Sequence, residues 1–77
     1  MQTLFAWENG LNEWTIRTPF EAMWAYTIHD ATGRVIHEAR SFGLSAYVDH
    51  STMASGVYVI QASTMHGVRL QTKIVKP

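Results

Sequence analysis

The sequence predicts an all-β fold, an antiparallel two-layer sandwich of about seven short strands. Three observations carry this. Apolar and polar residues alternate in the clearest segments, as they must when successive side chains leave a strand on opposite faces. Those segments are rich in Val, Ile, Thr and aromatic residues, which suit a pleated surface better than a helix. They recur at spacings of roughly 8–12 residues, punctuated by turn residues, with no helical period between them.

Gln2 to Trp7 reads as the first strand, with Leu4 and Ala6 opposed by Phe5 and Trp7. Glu8-Asn9-Gly10 turns the chain, because Asn and Gly tolerate positive φ. Leu11 to Thr18 forms the second strand, placing Leu11, Glu13 and Ile16 against Trp14. Thr18-Pro19-Phe20-Glu21 ends it, since proline offers no amide to a ladder. Met23 to Asp30 alternates cleanly, with Trp24, Tyr26 and Ile28 on one face and Ala25, Thr27 and His29 on the other. Asp30-Ala31-Thr32-Gly33 makes a tight turn, and Arg34 to Arg40 returns antiparallel with Ile36 toward the core. Ser41-Phe42-Gly43 is a loop, and Ala46-Tyr47-Val48 a brief strand.

The last third continues the pattern. Gly56 starts a strand with Tyr58, Ile60 and Ala62 on one face and Val57, Val59 and Gln61 on the other. Apolar residues on both sides point to a central strand. The closing strand sets Val68, Leu70, Thr72 and Ile74 against Arg69, Gln71 and Lys73, the pattern of a half-wet antiparallel strand.

At 77 residues the chain makes one small domain, and it has no cysteine to supply a disulfide or a thiolate metal site. Six basic and six acidic residues give no basic field for a phosphate backbone, so nucleic acid is not the expected partner. No apolar run has the roughly 18 residues of a membrane span. The start lacks the basic and apolar regions of a secretory leader, which leaves a cytoplasmic protein or a piece of a longer exported chain. A charged share of only 16% suits an extracytoplasmic module or one that docks on a partner.

Candidate chemistry is thin. His29, His37, His50 and His66 lack matched Cys, Asp or Glu ligands, so they read as exposed sheet and turn residues, and no cofactor or metal is expected. Asp49-His50-Ser51 has the residue types of a hydrolase triad, but sequence neighbours project in different directions, and a polar loop is the expectation. The glycines at 10, 33, 43, 56 and 67 fit turns and strand starts rather than a phosphate loop. An enzyme is therefore not expected. Trp7, Trp14 and Trp24 sit mid-strand and read as core residues before a sugar-stacking platform.

Three blocks carry a resemblance. The first is Tyr26-Thr27-Ile28-His29-Asp30-Ala31-Thr32-Gly33-Arg34-Val35-Ile36, the second Met53-Ala54-Ser55-Gly56-Val57-Tyr58-Val59-Ile60, and the third Lys73-Ile74-Val75-Lys76. In this order they resemble the C-terminal sorting domain of the type IX (Por) secretion system of Bacteroidetes. His29 stands where that family commonly has Tyr, Met53 stands for Leu, and the usual Tyr-Pro-Asn-Pro opening is replaced by Phe5-Ala6-Trp7-Glu8-Asn9-Gly10.

The resemblance implies an immunoglobulin-like sandwich and a single sorting domain over residues 1–77, part of a larger exported protein. It implies a non-catalytic address, folded in the periplasm and read by the outer-membrane translocon and its shuttle protein. A surface sortase acts where the domain is removed, and the destination is the cell surface or the medium. Carried over by position, Gly56, Tyr58, Lys73, Ile74, Val75 and Lys76 are signal residues, and Asp30, Gly33 and Arg34 are structural turn residues. Gly56 and Tyr58 also suit a purely packing role, whereas charged tips at Lys73 and Lys76 are expected to stay wet and to serve recognition. The alternatives are an accessory module binding polysaccharide and a domain that self-associates as a weak homodimer through its edge strands.

Overall fold

A computed structural model describes residues 3–19 and 23–77. Within them lie seven strands: β1 (Phe5–Glu8), β2 (Glu13–Arg17), β3 (Met23–His29), β4 (Val35–Phe42), β5 (Ser45–Asp49), β6 (Gly56–Thr64) and β7 (Arg69–Lys76). They form two antiparallel sheets, one ordered β1-β2-β5 and the other β4-β3-β6-β7. Gln2, expected to open the first strand, and Phe20 and Glu21 of the expected break lie outside the described residues.

The core fills the space between the sheets. Trp14, Ile16, Ala46 and Val48 point into it from the smaller sheet, and Trp24, Tyr26, Ile28, Tyr58, Ile60, Ala62 and Ile74 from the larger, with Leu4 closing one edge. The period-two reading of β3, β6 and β7 therefore gives the right core face. The reading of β2 does not: Trp14 and Ile16 are two positions apart, so they share the buried face, and Leu11 is exposed outside the strand. The Asn12-Glu13 interruption hid that phase, because Asn12 takes a positive φ and the strand starts only after it.

Two further corrections concern boundaries and burial. Ser41 and Phe42 extend β4 rather than forming a loop. β6 is central because β3 and β7 flank it, yet Val57 and Val59 face outward on an uncovered sheet. Trp14 and Trp24 are core residues, but Trp7 is 44% exposed on the outer face of the smaller sheet.

Candidate functional site

The antiparallel ladder brings the chain's motif blocks to one end of the sandwich. His29 at the end of β3 pairs with Val59 near the start of β6, and Gly56 pairs with Lys76 at the end of β7. The β3–β4 turn, the β5–β6 loop and the tip of β7 are thus neighbours, although up to 46 positions of sequence separate Asp30 from Lys76. Between the turn and the loop lies a cleft of about 550 Å³, lined by Asp30, Arg34, Ile36, Met53, Gly56 and Tyr58 among others.

The turn is built by Asp30. Its Oδ1 accepts from the Thr32 amide at 2.9 Å, the Thr32 hydroxyl at 2.6 Å and the Arg34 amide at 3.1 Å. These bonds, led by the Thr32 hydroxyl, hold the Asp30 carboxyl below the ordinary carboxylate range. Gly33 donates to the Asp30 carbonyl at 3.0 Å with φ 89°, a left-handed conformation that a side chain disfavours. Arg34 adds an exposed ion pair to Asp30 at 3.4 Å. His29 fastens the turn to the sheet: Nδ1 lies 3.2 Å from the Gly33 carbonyl and Nε2 lies 3.0 Å from the Thr27 hydroxyl. A neutral ring with Nδ1–H satisfies both, since a carbonyl only accepts.

Across the cleft, the Tyr58 hydroxyl donates to the carbonyl of Ala54, four residues upstream. Such a bond from a buried tyrosine at the start of a strand is the corner that immunoglobulin-type sandwiches use to fix the loop before it. Gly56, with φ 150°, lets the chain enter β6 between that carbonyl and the ring. Tyr58 also packs 5.4 Å from Trp14, which in turn lies 4.8 Å from the His50 ring.

The closing strand divides its residues by parity. Ile74 faces Tyr58 in the core, while Lys73 and Val75 stand exposed on the outer sheet face beside Val59 and Val57. Lys76 has the inward parity. Its ammonium donates to the carbonyl of His50 at 2.6 Å and to that of Met53, so it clamps the β5–β6 loop instead of pointing to water. Ser55 Oγ ties the same loop to the Pro77 carbonyl at 2.8 Å.

His50 departs from the expected exposed histidine. It is 3% exposed, and its Nε2 is hydrogen-bonded to the Glu8 carboxylate. Desolvation raises the Glu8 carboxyl, but bonds from His50 and the Gly10 amide outweigh it and hold the group below its ordinary value. The only available signal was the placement of His50 one residue past an alternating strand, in register with buried Val48. His29 and His37 are not opposite one another: a register shift pairs His29 with Val35 and Ile28 with His37, and His37 packs against Tyr26. Among the described residues no group of His, Asp or Glu is arranged to hold a metal ion. Asp49 and Ser51 form a local turn, the Ser51 amide donating to Asp49 Oδ1 at 2.8 Å.

A sequence profile described as "Secretion system C-terminal sorting domain" matches residues 11–77. The chain belongs to the type IX secretion C-terminal sorting domain family. The match spans the turn, the loop and the closing strand of this sorting domain. No curated protein matches the sequence. Among solved structures, the sorting domain is similar to a DUF3244 family protein with an immunoglobulin-like β-sandwich fold from Bacteroides vulgatus. The TM-score is 0.80 and the identity 14%, over 96% of this chain and 84% of that one. At that identity the likeness speaks for the fold alone, an immunoglobulin-like β-sandwich.

Proposed function

We propose that this domain is a non-catalytic address, read as a folded surface by the outer-membrane translocon and its shuttle protein at the end of the sandwich where the three blocks meet. The observation that carries this is the division of β7. Among the described residues β7 is hydrogen-bonded in its sheet to β6 alone, with β1 of the smaller sheet lying near it, and Lys73 and Val75 stand exposed on its outer face. An edge of this kind accepts another strand by backbone hydrogen bonds, with alternate side chains giving specificity.

In this reading Lys73 and Val75 make the contacts. Gly56, Tyr58, Ile74 and Lys76 shape the surface, and Asp30, Gly33 and Arg34 hold the adjacent turn. The domain then travels through the periplasm as the tail of a larger exported protein, to be released by a sortase or kept at the cell surface. The test is export of a full-length cargo ending in this domain. Deleting Lys73 to Pro77, or replacing Lys73 and Val75 together by Asp, is expected to strand the cargo in the periplasm. Normal surface delivery of the double variant, with the fold shown intact by its melting curve, would overturn the reading.

A further inference from the structure

The end of the sandwich opposite the meeting of the three blocks has a chemistry of its own. The ladder brings the start of β1, the end of β2, the start of β3, the end of β4 and the β6–β7 turn to that end. Phe42 pairs with Met23, and Met65 follows Thr64, the partner of Trp24. Phe42, Met23 and Met65 are 74%, 55% and 89% exposed, and Phe5 and Leu44 are exposed at the same end. Behind them Arg40, Ala25, Ser63 and Arg69 form one cross-strand row, so an arginine stands at each edge of the larger sheet. Met23, Arg40, Ser63 and Met65 line one cleft of about 330 Å³, which makes the apolar and basic side chains neighbours. Arg17, paired with Phe5 in the smaller sheet, adds a third cation. All three arginines are exposed, and among the described residues none makes an ion pair. The described acids lie elsewhere: Glu8, Glu13, Asp30 and Asp49 at the other end, and Glu38 midway along β4. A chain of zero net charge thus presents a basic, apolar end.

We propose that this end docks on an anionic lipid surface, with Phe42, Met23 and Met65 entering the headgroup region and Arg17, Arg40 and Arg69 bonding lipid phosphates. Two observations select a bilayer over a protein partner. Side chains as exposed as Phe42 and Met65 touch little of their own chain, and they come from a strand end and a turn. A lipid interface accepts such tips without a matching pocket. The three arginines are likewise apart, on β2, β4 and β7. One acidic side chain pairs with one guanidinium, whereas a field of phosphates serves all three. Arginine also keeps its charge among headgroups while its stem lies along apolar surface. Docked in this way, the domain directs the β3–β4 turn, the β5–β6 loop and the tip of β7 away from the membrane, where a protein can reach them.

The experiment is sedimentation of the 77-residue chain with vesicles of phosphatidylcholine alone and of phosphatidylcholine mixed equally with phosphatidylglycerol. Binding to the mixed vesicles alone is expected, and it should weaken as salt rises. Arg40→Gln and Arg69→Gln should each lower the affinity about fivefold. Phe42→Ser combined with Met65→Ser should lower it about tenfold. Lys73→Gln removes a cation from the opposite end and should bind vesicles as the parent does. The replaced side chains are exposed, so melting temperatures should hold, and the arginine variants serve if the double serine variant does not fold. No binding to the mixed vesicles, or equal binding to both kinds, overturns the proposal. So does affinity that Lys73→Gln lowers as much as Arg40→Gln, or that the folded serine variant leaves untouched. Binding to polyglutamate in preference to the mixed vesicles, or a dimer that Phe42→Ser dissolves, would overturn it in favour of a protein partner.

Discussion

Lys73 and Lys76 belong to one four-residue motif, but the fold gives them different work, and paired substitutions separate the two. In Lys76→Met the ammonium that serves the His50 and Met53 carbonyls is gone while most of the stem remains. A hydrogen bond to a charged group contributes about 1.5–3 kcal/mol when well made. Lys76 is half-buried, so solvent screening keeps each bond at or below the lower end of that range. The expected loss is about 2 kcal/mol for the pair of bonds, which for a domain of this size moves the melting temperature by roughly 10 °C. Lys73→Met, on the exposed face, should stay within about 0.5 kcal/mol of the parent. Chemical and thermal unfolding followed by circular dichroism gives both values. Hydrogen exchange supplies the local readout: amides of the loop from Ser51 to Ser55 should exchange faster in Lys76→Met and not in Lys73→Met. Equal stability of the two variants would refute the clamp and return Lys76 to the solvent. Conversely, a cargo carrying Lys73→Met should lose sorting with its stability intact.

The acidic groups set the pH response. Glu8, Asp30 and Asp49 all have carboxyls held below their ordinary values, Asp49 chiefly by the Ser51 amide. A lowered folded-state value means that the unfolded chain binds protons first. Their contribution is therefore complete above about pH 5 and is lost as pH falls through and below about 4. Urea midpoints that rise on acidification below pH about 4 would contradict this. Gly33→Ala leaves a methyl group in open space but forces it onto φ 89°; a loss of about 1 kcal/mol is expected, with Gly33→Asn losing less, as read from melting temperatures. Tyr58→Phe removes the bond to Ala54 and leaves that carbonyl short of a donor, for about 1 kcal/mol at unchanged far-ultraviolet spectrum; an unaltered melting temperature would show that the corner is dispensable.

What the chain determines locally, it determines well. The faces of β3, β6 and β7 follow from a period of two that needs no knowledge of the partner strand. The Asp30–Gly33 turn follows from a side chain bonding its own next few amides. Where a local irregularity intervenes, as at Asn12, the phase is lost and Trp14 is set against Ile16 although both are buried. The rest was decided by contacts distant in sequence. Trp7 and Trp14 look alike as mid-strand tryptophans, but one lies on the outer face beside Thr15 and the other is sealed against Tyr58 and His50. The buried His50 finds a carboxylate in Glu8, 42 positions away, and the half-buried Lys76 finds carbonyls of the β5–β6 loop because β7 ends over them. A side chain's face is a property of its own backbone, whereas its solvent and its partners are supplied by strands that only folding brings near.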